Sequence, residues 1–174
     1  EDDLTPLVEL LHHISLRETL YTLELRSHVS NADTAMRLFG INPLYGSTTS
    51  IPLLEKLNKK GTLLIKNIHQ LDIDSQNNLA QFIRYGFYTI FKSDKRVQSD
   101  VRVICSTNQD LSTLVQEGRF SQSLFNELKK ESLAMPALLT LPEEEMNELV
   151  DGFTDQAMTT HEFKNLVELS HKER

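Results

Sequence analysis

The sequence predicts an α/β domain in three layers, a mainly parallel sheet flanked by helices. Two short runs carry that reading, TLLIKNI at 62–68 and VRVIC at 101–105. Each is nearly continuous in apolar residues, as a strand buried on both faces requires. The third observation is the order of the rest: segments of helical period alternate with such runs, the pattern of parallel strands joined by helical crossovers.

The elements follow in chain order. Thr5-Pro6 opens a helix over 5–14 on which Leu4, Leu7, Val8, Leu11 and Ile14 recur at helical spacing. Residues 19–25 (TLYTLEL) read as a strand, and 32–39 as a short helix ended by Gly40. Loop chemistry fills 43–50 (PLYGSTTS), and 51–59 is again amphipathic and helical. After the strand at 62–68, Asp74 is placed to cap a helix through Tyr85, with Gly86 as its stop. Residues 87–91 and Val97 flank the polar turn Ser93-Asp94-Lys95-Arg96, a hairpin. The strand at 101–105 leads to a helix over 111–117 stopped by Gly118, and Ser121 caps another to Lys130. Residues 135–141 read as extended, Pro142 opens an acidic helix, and Thr159 with Glu162 forms a capping box for a last helix to about 172. The expected division is a core over 1–141 and a helical segment over 142–174.

Composition narrows the function classes. Of 174 residues, 18 Lys+Arg against 25 Asp+Glu leave a formal net charge of −7, which opposes a bulk electrostatic grip on nucleic acid or an anionic membrane. At 39% hydrophobic and 25% charged, the chain has the balance of an ordered globular domain. No apolar run approaches the roughly 20 residues that cross a bilayer. A single cysteine, Cys105, allows no internal disulfide, so a reducing cytoplasm is the expected compartment. No His pair has the i, i+4 spacing of a helical metal site, so no metal is expected.

A longer pattern then emerges. GTLLIKNIHQL at 61–71, SDVRVICSTNQDL at 99–111 and GRFSQSLFNEL at 118–128 keep one spacing without a gap. This text resembles the AAA+ ATPase domain of bacterial enhancer-binding proteins, the activators of sigma-54 RNA polymerase. In that family the corresponding motifs are G-T-L-F-L-D-E-I, V-D-V-R-V-I-A-A-T-N-x-D-L and G-x-F-R-x-D-L-Y-Y-R-L. Upstream, RLFG at 37–40 and LVELLHHIS at 7–15 are similar to the family's E-L-F-G and to the helix after its phosphate loop.

The departures bear on function. The resemblance implies an Asp on Mg²⁺ and a Glu that polarises water where this chain has Lys66 and Asn67. An ammonium cannot ligate a cation, and an amide is no base. The two arginine fingers fall on Ser121 and Glu127, the latter expected to turn a carboxylate towards a neighbouring subunit. No G-x-x-x-x-G-K-[ST] occurs, and the position implied for it reads Asp2-Asp3-Leu4-Thr5-Pro6. INPLYGSTTS stands where the family's G-A-F-T-G-A loop touches the sigma factor, with Tyr45 the one aromatic tip. The sensor Asn is kept as Asn108.

The residue-level reading sets bland roles beside these. Lys66 and Asn67 can be a strand end under relaxed selection, and Asn108 can cap the next turn. The Lys92, Lys95, Arg96 cluster reads as a solvated turn. The expectation is a catalytically inactive AAA+-like module in transcription regulation, with Lys66, Asn67 and Asn108 lining a vestigial nucleotide crevice and ATP binding weak or absent. Its partner would be a protein, either transcription machinery or another regulator, with no direct nucleic-acid contact and no membrane. The chain would be a monomer or small oligomer; a third reading is a structural domain of a multidomain regulator of the two-component type, with receiver or DNA-binding parts cut away. The alternative is an ATP-dependent sigma-54 activator whose phosphate loop lies outside these residues.

Overall fold

The computed structural model describes residues 5–46 and 51–133. All of these but Leu133 fall in one compact unit, Glu1–Ser132. The expected boundary at 141/142, the extended run at 135–141, the two later helices and the Ser47–Ser50 part of the loop lie outside the described residues.

The elements are α1 (Thr5–Ile14), β1 (Thr19–Glu24), α2 (Asn31–Phe39), α3 (Leu53–Lys56), β2 (Gly61–Lys66), α4 (Ile73–Tyr85), β3 (Phe87–Thr89), β4 (Arg96–Gln98), β5 (Val101–Ser106), α5 (Leu111–Gln116) and α6 (Gln122–Lys129). A single 3-10 turn, Ile68–Gln70, follows β2. The strands β1, β2 and β5 form a parallel sheet in the order β1-β2-β5. Its register sets Glu24 beside Lys66 and Lys66 beside Ser106, so all three strands end at one edge. The hairpin β3–β4 is a separate antiparallel pair.

Side chains alternate across a strand, and β2 shows what each face meets. Thr62 and Leu64 face α1, where His12 Nδ1 lies 3.0 Å from Thr62 Oγ1 and Arg102 Nη1 donates to the Leu11 carbonyl at 3.0 Å. Leu63 and Ile65 face the larger core, with Leu38, Phe39, Leu54, Ile68, Leu79, Tyr88 and Leu124. Helices on both faces of a parallel sheet make the three expected layers.

Several elements differ from the sequence reading, each for a local reason. The strand expected to reach Ile68 stops at Lys66, because Asn67 takes a left-handed conformation (φ 59°, ψ 46°) that no ladder continues. The helix expected over 51–59 shrinks to Leu53–Lys56, and Lys59 just beyond it has φ 76°. The cap of α4 is Asp72, not Asp74: its carboxylate accepts from the Ser75 amide at 3.0 Å. The hairpin strands are three residues each and leave Ile90 and Phe91 outside. The expectation that β5 is buried on both faces fails for Val103 and Ile104, which are half-buried, since β5 is paired only to β2 among the described strands.

Asp110 caps α5 and accepts from the Ser112 amide (3.0 Å), the Ser112 hydroxyl and the Thr113 hydroxyl (2.6 Å). Those bonds, the Thr113 hydroxyl's first, hold its carboxyl down at about 2, against an ordinary 3.8. A depressed folded-state value means the unfolded chain binds the proton more readily. The stability Asp110 contributes is therefore present above about 3.8 and lost as pH falls through about 2. Asp110→Asn is expected to melt below wild type at neutral pH, with the gap closing as pH approaches 2; a gap unchanged down the titration would refute the cap's charge dependence.

Candidate functional site

Parallel sheets bind ligands outside the carboxyl ends of their strands, and here that edge gathers Lys66, Asn67, Ser106, Thr107 and Asn108. Topology thus brings the three residues singled out from sequence to one side of the sheet. They do not share one role. Lys66 is half-buried, and its carbonyl accepts from the Leu25 amide at 3.1 Å. Asn67 turns away from β5: its side-chain amide donates to the Leu25 carbonyl at 3.3 Å, bracing the end of β1. Asn108 is exposed, and among the described residues its Oδ1 accepts only from Gln109 Nε2, at 3.4 Å. It does not cap the following helix, because Asp110 does. The turn itself is closed by Thr107, whose Oγ1 accepts from the Gln109 amide at 3.1 Å.

His69 belongs to this edge and was missed by the sequence reading, which weighed histidines only as metal pairs. Its Nδ1 is 2.9 Å from Thr107 Oγ1, linking the ends of β2 and β5. Burial, with the Arg119 guanidinium nearby, lowers its pKa from the ordinary histidine value. Nothing in sequence spacing marked it, since its partner lies 38 residues on.

The acidic groups near this edge are already engaged. Glu24 pairs with Arg26 (3.1 Å), and Asp110 is spent on its cap. Among the described residues no group of three or more His, Cys, Asp or Glu is arranged to hold a metal ion. Cys105 packs against the core, where burial pushes its thiol up to about 12, far from a reactive thiolate.

The two finger positions are also turned inward. Ser121 is buried, caps α6 by accepting from the Leu124 amide (3.4 Å), donates to Asn77 Oδ1, and its own amide donates to Gln76 Oε1 at 2.6 Å. Glu127 is only 9% exposed and pairs with Lys130 and with Arg84, whose Nε is 3.6 Å away. The expectation that Glu127 presents its carboxylate to a neighbouring subunit is therefore corrected. It lies three residues after Leu124, on the face of α6 that packs inward.

Comparison with known proteins fits this frame. Among solved structures, NtrX from Brucella abortus in complex with ADP has a TM-score of 0.63 at 19% identity, over 88% of this chain and 40% of that one. The ATP complex of the same protein gives 0.62 at 18% identity, over 90% and 40%; at these identities the likeness establishes the fold. Regulatory protein LuxO of Vibrio vulnificus is 32% identical over 124 residues, 71% of this chain and 25% of its own length. The nitric oxide reductase transcription regulator NorR of Klebsiella pneumoniae is 32% identical over 133 residues, 76% and 23%. NtrC of Rhizobium meliloti is 32% identical over 97 residues, 56% and 20%. The chain thus spans about a quarter of the length of these regulators. The sigma-54 interaction domain matches residues 10–134, from within α1 past the end of α6. This chain belongs to the sigma-54 interaction domain family.

Proposed function

We propose that this domain has lost the family's ATP hydrolysis and serves transcription regulation as a cytoplasmic protein-interaction module. The observation that carries the reading is the end of β2. Lys66 and Asn67 occupy the positions of the metal-binding Asp and catalytic Glu, and Asn67 is committed to the Leu25 carbonyl. The inward Ser121 and Glu127 support it, because neither can lend positive charge to a neighbour's phosphate. All four lie inside the chain, so the reading does not depend on what precedes it. Mg-nucleotide does not fit this edge, where an ammonium replaces the metal ligand. ATP binding is weak or absent, and the partner is a protein of the transcription machinery or another regulator.

Phosphate release from Mg-ATP is expected to stay at the blank rate, and the chain to sediment as the same monomer or small oligomer with and without nucleotide. Turnover that tracks the purified protein, or a ring formed only with Mg-ATP, would overturn the reading.

A further inference from the structure

Away from the strand-end crevice, one aromatic ring collects two cations. Tyr21 lies in the middle of β1, opposite Leu63 of β2, on the face that carries the larger core. Three residues separate it from Glu24 at the strand's end, about 10 Å at the rise of a strand. Arg37, in the last turn of α2, donates from Nη2 to the Tyr21 hydroxyl at 2.7 Å, and its Cζ is 5.9 Å from the ring centroid. Lys56, the last residue of α3, has its Nζ 5.7 Å from the same centroid. Three elements thus bring a phenol, a guanidinium and an ammonium together at the β1 side of the sheet.

All three keep free donors. Both cations are exposed, and neither joins an ion pair among the described residues, where six other Lys or Arg side chains do. Asp33 stands four residues before Arg37, the order that favours an ion pair along a helix, yet Arg37 turns to Tyr21 instead. Glu55, next to Lys56 in sequence, forms no ion pair with either cation. The Tyr21 oxygen accepts from Arg37, and its own proton has no acceptor among the described residues.

We propose that Tyr21, Arg37 and Lys56 form a binding site for a phosphate dianion, free or as the monoester of a small molecule. A phosphate group presents three acceptor oxygens around one centre, so hydroxyl, guanidinium and ammonium each meet one, whereas a carboxylate offers two. Arg37 is held by the hydroxyl through one N–H and keeps the rest of its fork for charge-assisted bonds. Lys56 adds a point charge on a flexible stem that adjusts to the bound anion. Two cations on one small ligand also match the dianion's charge. A nucleic acid fits less well, because each of its phosphates carries a single charge and the chain's net charge of −7 repels the rest of the strand.

The test is an NMR titration of the full chain at fixed ionic strength, with inorganic phosphate, phenyl phosphate and acetate as separate probes and no nucleotide. Phosphate is expected to saturate at about millimolar concentration, with the largest shifts at Tyr21, Arg37 and Lys56, and acetate to bind more weakly. Arg37→Ala should weaken phosphate about tenfold, the loss of a charged hydrogen bond. Arg37→Lys should fall between, because the charge stays but the planar fork is lost. Tyr21→Phe keeps the ring and removes only the hydroxyl, so it should melt close to wild type and weaken phosphate about threefold. Lys92→Ala removes the same charge from another cation–ring contact, 5.8 Å over Tyr45, and should leave binding unchanged. Tighter binding of phenyl phosphate would assign a small phosphomonoester and tighter inorganic phosphate the free anion, and either supports the site. Shifts centred on Lys66 and Asn108, equal losses for Arg37→Ala and Lys92→Ala, acetate binding as tightly as phosphate, or no saturation would each overturn the proposal. The loss of hydrolysis rests on other residues, so the two readings fail separately.

Discussion

Ile65→Ala is expected to lower the melting temperature by about 5–20 °C, while Ile104→Ala lowers it by only a few degrees. The first figure comes from a cost of about 2–5 kcal/mol for emptying a filled aliphatic site, at about 2–4 °C per kcal/mol in a domain of this size. Ile65 is 0% exposed and sits on the central strand, between β1 and β5, with its side chain in the main core. Leu64, 2% exposed on the opposite face, should behave like it. Ile104 and Val103 are half-buried, so truncation removes fewer contacts and leaves a space that water can fill. Lys66→Ala, at the half-buried end of β2, should shift melting by no more than about 2 °C, because it empties no core site. Equal shifts at Ile65 and Ile104 would show β5 to be as enclosed as β2, and the sheet to extend beyond β5.

That contrast marks where the sequence stops being informative. β2 was legible because its burial is written in its own letters: five of the six residues of Gly61–Lys66 are buried. VRVIC has the same look, yet β5 is only half covered, since what flanks a strand is set by other segments. Helices were legible where their caps are local, as with Ser121 before α6. They were misread where two candidates compete, as with Asp72 and Asp74. The left-handed Asn67 and Lys59 cut short a strand and a helix whose apolar pattern ran on, and no periodicity announces such a turn. At the site, motif spacing found Lys66, Asn67 and Asn108 but not their directions. Asn67 turns to β1, and His69 joins the edge through a long-range bond to Thr107. Glu127 was read as facing a neighbouring subunit because it falls on a finger position of the family; two cations, Arg84 and Lys130, hold it down.

Gln76→Leu is expected to destabilise the domain by about 2–6 kcal/mol, although leucine nearly matches the lost volume. Gln76 is 0% exposed in the first half of α4. Its Nε2 donates to the Leu71 carbonyl, and its Oε1 accepts from the Ser121 amide at 2.6 Å. Among the described residues no buried side-chain polar atom lacks a partner, and this one amide supplies two of those links. Leucine would strand a buried carbonyl and a buried N–H, each costing about 1–3 kcal/mol. The consequence reaches the finger position, because Ser121 begins α6 and the Gln76 bond fixes where that helix starts. Hydrogen exchange should therefore speed first at Ser121 and along α6, before β2 is affected. Gln116→Leu, on the exposed side of α5, is the matched control and should melt with wild type. The same packing explains why Ser121→Arg would not rebuild a finger: a guanidinium at a buried cap has no anion to meet and must break α6 to reach water. If Gln76→Leu melts with wild type and α6 keeps its protection, the Ser121 amide has another partner, and the inward fixing of this position is wrong.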